Sequence, residues 1–363
     1  MTMEKAKLLV ERHFRNIAQR DPKIRNAYLL IHSDTHGVHW NLAEGRTGDT
    51  PADPRQPLFI ASIGKLFTAV LMAMLAQGGQ VSFDDKITKY LDSDLLQGLH
   101  VYGGKDYTPE IRISHLLNHT SGLHDYFSDK PKHGKPFIKI IFDESNRFWT
   151  PREIITWSKN NLVPHFPPGK GFHYSDTGYH VLGLIIEKVL GMPWHDALKT
   201  HIFEPLEMKH TFCPHWSEPL EKSDLPVARV FSDGTDVTEF RSLSCDYAGG
   251  GIAAPAEDLL KFMQALTHHT LIKAETFDKM KDWARFSIGI NYGYGMMSIV
   301  TVPLIMPERY NCWGNAGSIG SFMFYHPRLK TYFIGSLNQF GYAPKGIRFM
   351  MKCIGLVANG LRA

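Results

Sequence analysis

Ser62 and Lys65 stand three residues apart in Ser62-Ile63-Gly64-Lys65. That is close to one helical turn, so both side chains fall on one face and the amine can reach the hydroxyl. A lysine set among apolar groups is pushed toward its neutral form and can then take the serine proton. A helix amino terminus at the same point supplies N–H groups and positive potential for an anionic tetrahedral intermediate. The competing reading is a serine cap with a lysine reaching to solvent. No other serine in the chain has a lysine three positions later, and the pair heads Ser62 to Gln77, the stretch richest in apolar and small residues.

Two further segments carry candidate chemistry. Tyr174-Ser175-Asp176 follows the loop Phe166-Pro167-Pro168-Gly169-Lys170-Gly171 and precedes a helix expected from Val181. A tyrosine placed there could meet Ser62 and move its proton; Tyr-Ser-Asp is also an ordinary capping sequence. Trp313-Gly314-Asn315-Ala316-Gly317-Ser318 precedes a strand expected over residues 319–325, and its small residues would let a substrate lie against the strand edge. A backbone N–H near Ser318 would be a second oxyanion donor; a plain glycine-rich turn is the alternative. His115, His119 and His124 lack a carboxylate or cysteine at ligand spacing, so no metal and no cofactor is expected. G-x-S-x-G, H-E-x-x-H, G-x-x-x-x-G-K-[ST] and G-x-G-x-x-G are all absent.

The elements that must position these groups follow from composition and periodicity. The chain has 363 residues, 43% hydrophobic and 21% charged, enough for about two compact units. A net charge of +4 without a run of like charges gives no reason to expect nucleic acid as a partner. No apolar stretch reaches the roughly 20 residues a membrane span needs. Neither a secretion signal nor paired cysteine spacing is visible, so a cytoplasmic protein with reduced thiols is expected. An amino-terminal helix (Val10, Phe14, Ile17) leads to a hairpin of Ala27 to His32 and Val38 to Ala43. Short helices follow over 114–118, 151–159, 181–190 and 193–203; strands return over 294–302, 319–325 and 331–337, and a helix over 345–361 closes the chain. Strands at both ends imply an α+β fold with an antiparallel sheet built from both termini. Residues 1–60 and 225–363 would form this discontinuous sheet domain and 61–224 a mostly helical one; the resemblance described next implies an active site in the cleft between them.

In this order the segments resemble the serine β-lactamase and penicillin-binding-protein superfamily. The class C-like branch, with its carboxylesterases, D-aminopeptidases and acyltransferases, is the nearest match. Ile113-Ser114-His115-Leu116-Leu117-Asn118-His119-Thr120-Ser121-Gly122-Leu123, Tyr174-Ser175-Asp176-Thr177-Gly178-Tyr179, Phe203-Glu204-Pro205-Leu206-Glu207-Met208 and Ala248-Gly249-Gly250-Gly251 carry the resemblance across nearly the whole chain. It implies Ser62 as acylated nucleophile, Lys65 as its proton partner, Tyr174 as second acid or base, and the N–H groups of Ser62 and Ser318 as oxyanion hole. Two positions depart from the pattern. Asn315-Ala316-Gly317 replaces a motif that usually begins with lysine or histidine, which weakens the case for substrates with a free carboxylate. Asp176 stands where asparagine is usual; near Lys65 it would raise the lysine pKa and shift the base role to Tyr174, or it could bind a substrate cation. The class A motifs S-D-N and K-T-G are missing.

The reading that follows is a serine hydrolase acting on small carboxylic esters, with acyl transfer a further outcome. A D-amino-acid peptidase, amidase or β-lactamase-type hydrolase is the enzymatic alternative, and a silent acyl-ligand-binding homologue the non-enzymatic one. Tyr126, Trp149, Tyr247 and Trp313 are candidate walls of the substrate pocket, with Asp176, Asn315 and Gly317 as polar or close contacts. Oligomeric state is not encoded in any recognisable pattern.

Overall fold

The computed structural model describes residues 1–361. Helix α1 (Met3–Arg20) is capped by Thr2, whose hydroxyl accepts the Lys5 N–H at 3.3 Å. Its Ala6, Val10 and Phe14 are buried. Strands β1 (Asn26–Ser33), β2 (Val38–Thr47) and β3 (Thr50–Pro51) follow. The remaining sheet strands come from the far end of the chain: β4 (Ala284–Ser287), β5 (Ile290–Tyr292), β6 (Met297–Ile299), β7 (Cys312–Ala316), β8 (Phe322–His326) and β9 (Thr331–Ser336). They form one antiparallel sheet in the order β4-β5-β6-β7-β8-β9-β1-β2-β3. The two ends of the chain are joined where β1 pairs with β9, Tyr28 opposite Ser336 and His32 opposite Tyr332.

Alternation along the strands divides the interior into two cores. Ala27, Leu29 and Ile31, with Phe322, Phe324 and Phe333, face α1 and the carboxy-terminal helix (Ala343–Gly360). Leu30, Met323 and Ile334 point the other way, into the larger core around the Ser62 helix. That helix, α2 (Gly64–Gln77), is buried from Gly64 to Ala73 without a break, as its all-round apolar composition requires. The helical segment is built from α3 (Ile113–Leu117), α4 (Pro151–Asn161), α5 (Asp176–Leu190) and α6 (Trp194–Leu198), the last continued by a π-helical turn over Lys199–Phe203. After it come α7 (Tyr247–Gly250) and α8 (Ala256–Thr267), and α8 packs against β1 and β9.

Several boundaries differ from the sequence expectation; the strand expected over 319–325, for one, begins only at Phe322. Cys312–Ala316 is a strand rather than a turn, since pairing of Gly314 with Phe324 and Asn315 with Met323 overrides the weak strand preference of Gly and Asn. Helix α5 starts at Asp176, not Val181, because the Ser175 hydroxyl caps it by accepting the Gly178 N–H at 3.1 Å. The strand expected over 294–302 shrinks to Met297–Ile299: Gly295, at φ +68°, turns the chain before it. All four cysteines are buried and unbonded. Among the described residues no helix is long and apolar enough to cross a membrane.

Candidate active site

Ser62 lies in a 3-10 turn, Ala61–Ile63, at the head of α2. Ala61 has φ +48°, a left-handed conformation that a side chain rarely adopts. The turn is pinned from two sides: the Ile60 N–H donates to the Ile252 carbonyl at 3.1 Å, and the Ser321 hydroxyl donates to the Ile60 carbonyl at 2.9 Å. Glycines permit the close packing around it. A Cβ on Gly64 would stand 2.8 Å from the Gly250 Cα, one on Gly250 would stand 2.6 Å from the Ala61 carbonyl carbon, and one on Gly317 would stand 2.8 Å from the Ile60 carbonyl oxygen. This is the physical content of the Ala248-Gly249-Gly250-Gly251 segment.

The Lys65 ammonium is fully buried. It donates to the Ser62 hydroxyl at 3.2 Å, to the Gly249 carbonyl at 2.7 Å, and to the Asp176 carboxylate. The rings of Tyr174 and Tyr179 lie 4.9 and 5.4 Å from the nitrogen, adding cation–π attraction. Burial works against the charge, but Asp176, Tyr292 and Asp246 outweigh it, and the pKa of Lys65 is raised. Helix α5 begins at Asp176, whose N–H donates to the Asp125 carboxylate at 3.0 Å. Burial, with the Asp176 charge behind it, pushes Asp246 up to about 7 and raises Asp125 as well. Tyr174 lines the cavity with Ser62, and burial and the charges of Asp176, Asp125 and Asp246 hold its pKa well above the usual phenol value. At neutral pH the resting site therefore holds a charged Lys65 and a protonated Tyr174. His119 buttresses the tyrosine, ring centroids 4.2 Å apart, while its Nδ1 accepts the Ser175 N–H at 3.1 Å. Burial and the nearby Lys65 charge keep that imidazole neutral.

Ser62 opens on a cavity of about 600 Å³ that Tyr174, Asp176, Gly317 and Ser318 also line. Its walls are mainly apolar, among them Phe59, Ile138, Phe142, Phe240 and Leu243, and no lysine or arginine lines it. The structure places the other expected substrate contacts elsewhere. Asn315 is buried, its amide donating to the Gly295 carbonyl at 2.7 Å and the Tyr292 hydroxyl at 3.3 Å. Tyr126 is buried and donates to the Cys245 carbonyl at 2.8 Å. Tyr247 is buried against Glu187 and Trp194, accepting the Trp194 N–H at 3.2 Å. Trp313 packs on Phe277 and Tyr325. Tyr126 and Tyr247 are core residues of the elements that frame the cleft, and Trp313 is half-buried against that core. Asp125 and Asp246 do line the cavity; sequence reasoning missed both, although each lies two positions from a recognised segment, Asp125 after Leu123 and Asp246 before Ala248.

Residues 14–348 match the Beta-lactamase family model. Penicillin-binding protein 4* of Bacillus subtilis (strain 168) is 30% identical over 250 residues, 65% of this chain and 51% of that protein. The chain thus spans about half the length of the curated relatives it matches. The D-amino acid amidase of Ochrobactrum anthropi SV3, in its complex with L-phenylalanine, superposes with a TM-score of 0.79 at 22% identity, over 99% of this chain and 100% of that one. EstCE1, described as a hydrolase with promiscuous acyltransferase activity, gives a TM-score of 0.78 at 19% identity, over 98% of this chain and 99% of that one. At these identities the two structures establish the fold.

Proposed function

The chain belongs to the Beta-lactamase family of serine hydrolases, and from that premise we propose that it cleaves apolar, uncharged carboxylic esters through an acyl-enzyme on Ser62. The observation that carries this reading is the cavity on Ser62, apolar in its walls and without a lysine or arginine to receive a substrate carboxylate. A neutral acyl chain or ring gains by burial there, whereas a carboxylate would lose its hydration unpaired. Attack by Ser62 Oγ on the ester carbonyl places the oxyanion by the N–H groups of Ser62 and Ser318.

Proton movement is fitted to the resting states. Lys65 remains an ammonium paired with Asp176 and orients the Ser62 hydroxyl; Tyr174 receives the serine proton on its oxygen while passing its own to the departing alkoxide. This relay forms the Oγ–C bond and breaks the C–O bond without a stored tyrosinate or a neutral lysine, both of which the raised pKa values disfavour. Water, or another small nucleophile, then takes the acyl group by the reverse path.

A second reading rests on Asp125, Asp176 and Asp246: carboxylates lining the cavity would hold the ammonium of a D-amino-acid amide. The superposition on the Ochrobactrum amidase supports it at the level of fold. Parallel assays of p-nitrophenyl acetate, p-nitrophenyl butyrate, D-phenylalanine amide and a chromogenic cephalosporin, with protein mass followed for an adduct, separate the readings. Ester turnover that prefers butyrate and vanishes in Ser62→Ala supports the first. Turnover of the amide alone replaces it with the second. Absence of both turnover and adduct overturns both.

A further inference from the structure

Asp129, His165 and His173 converge beside the cleft. The Nε2 atoms of His165 and His173 stand 2.8 and 3.1 Å from Asp129 Oδ2. The two rings are stacked at 3.5 Å between centroids, and the three ligand-type atoms all lie within 4.8 Å of one another. Each residue is fixed by its backbone: the His165 N–H donates to the Gly122 carbonyl at 2.8 Å, the His173 N–H to the His119 carbonyl at 3.0 Å, and the Asp129 N–H to the Asp125 carbonyl at 3.0 Å. The Asp125 N–H also reaches Asp129 Oδ2, at 2.8 Å. The three side chains are 16 to 37% exposed, open to an ion from solvent but held in place.

A second observation points the same way. His124, one residue before Asp125, is fully buried, and neither ring nitrogen has a hydrogen-bond partner. Its electrostatic neighbours are Asp129, His100 and His165. His100 is equally buried. A buried imidazole without a partner is uncommon, and His124 leads directly into the Asp125–Asp129 turn that carries the carboxylate.

We propose that Asp129 Oδ2, His165 Nε2 and His173 Nε2 bind one divalent transition-metal ion of the Zn²⁺ type, with solvent in the fourth position. Two imidazoles and a carboxylate form a borderline donor set suited to such an ion and not to Ca²⁺ or Mg²⁺. Zinc bonds of about 2.0–2.2 Å place tetrahedral ligand atoms about 3.3 Å apart. The observed N–O spacings need to open by only a few tenths of an ångström. On binding, each ring carries its proton on Nδ1 and offers the Nε2 lone pair. The ion ties the loop following Gly122 to the loop over 162–174. His173 directly precedes Tyr174, so the staple holds the backbone that aims the tyrosine at Ser62.

Full-length protein, stripped with chelator, is titrated with ZnCl₂ by calorimetry and with CoCl₂ by visible absorption. The expected result is one ion per chain, tetrahedral Co²⁺ bands, and a Zn²⁺-dependent rise in melting temperature. Affinity should fall at least 10-fold in His165→Asn and in Asp129→Ser, and stay unchanged in His133→Asn, an exposed histidine outside the cluster. His165 is substantially exposed, so its variant tests the site without endangering the fold. Stoichiometry far below one ion per chain, or wild-type affinity in a folded His165→Asn protein, would overturn the proposal.

Discussion

Replacing Asp176 by Asn removes the main charge partner of a lysine with no solvent exposure while keeping the side-chain shape. Breaking a buried ion pair by deleting one member costs about 3–5 kcal/mol, because the other charge is left without compensation. The structure argues for the lower end: the Gly249 carbonyl still accepts from Lys65, and Asp246, relieved of its repulsion by Asp176, ionises more readily beside the ammonium. A loss of about 3 kcal/mol is expected, or about 6 °C in melting temperature at about 2 °C per kcal/mol for a chain of this size. The raised pKa of Lys65 places the measuring window: its contribution is fully present below the unfolded lysine value near 10.4 and disappears only as pH rises through the higher folded value. Unfolding at pH 7 therefore reads all of it. The assay is a double-mutant cycle of wild type, Asp176→Asn, Lys65→Met and the double variant. The double variant buries neither charge and should recover about 2 kcal/mol relative to the sum of the singles. Additive single effects would refute the claim that these two groups hold one another in the interior.

Other outcomes follow from the same geometry. Tyr174→Phe should lower kcat for an ester substrate by about 10²- to 10⁴-fold with a small change in KM, since the proposed mechanism uses the phenol as a proton relay and not as a binding contact; steady-state kinetics decides this. Gly249→Ala puts a Cβ 2.9 Å from Asp176 Oδ1 and 3.6 Å from Lys65 Nζ, and should destabilise by about 1–3 kcal/mol in denaturant titration. Asp246, with its folded pKa raised to about 7, holds a proton that the unfolded chain has already lost above pH 4, so it costs stability as pH rises from about 4 to 7. Asp246→Asn should therefore gain on wild type across that interval in chemical denaturation, and a constant difference between pH 4 and 8 would contradict the assignment.

What could be read from the sequence tracks how local each relation is. Ser62 and Lys65 are legible because one helical turn joins them. The Lys65–Asp176 pair spans 111 positions and enters sequence reasoning only through the resemblance that brings their two segments together. The hairpin of β1 and β2 announces itself by its turn, whereas β7 hides behind Gly314 and Asn315, whose extended state depends on β8. Being aromatic and near the motifs points Tyr126, Tyr247 and Trp313 to the pocket, but periodicity does not tell which face of a short element meets the cleft. Asp129 lies 36 positions from His165 and 44 from His173, too far for any ligand-spacing rule to join them.

The pairing of β1 with β9 also bears on how the molecule comes into being. Tyr28 waits for Ser336, and Ser62 waits for the loop carrying Gly317 and Ser318. A ribosome emits these segments in order, so an emerging chain can assemble α2 and the helices over 113–198 long before the sheet can close around them. Contacts of such sequence separation make the last stage of folding slow. They also delay the site: until the final strands arrive, Ser62 has neither the Gly317–Ser318 segment nor the enclosing cavity wall beside it. An incomplete or prematurely released chain would carry Ser62 and Lys65 yet lack the cavity that the proposed acyl transfer requires.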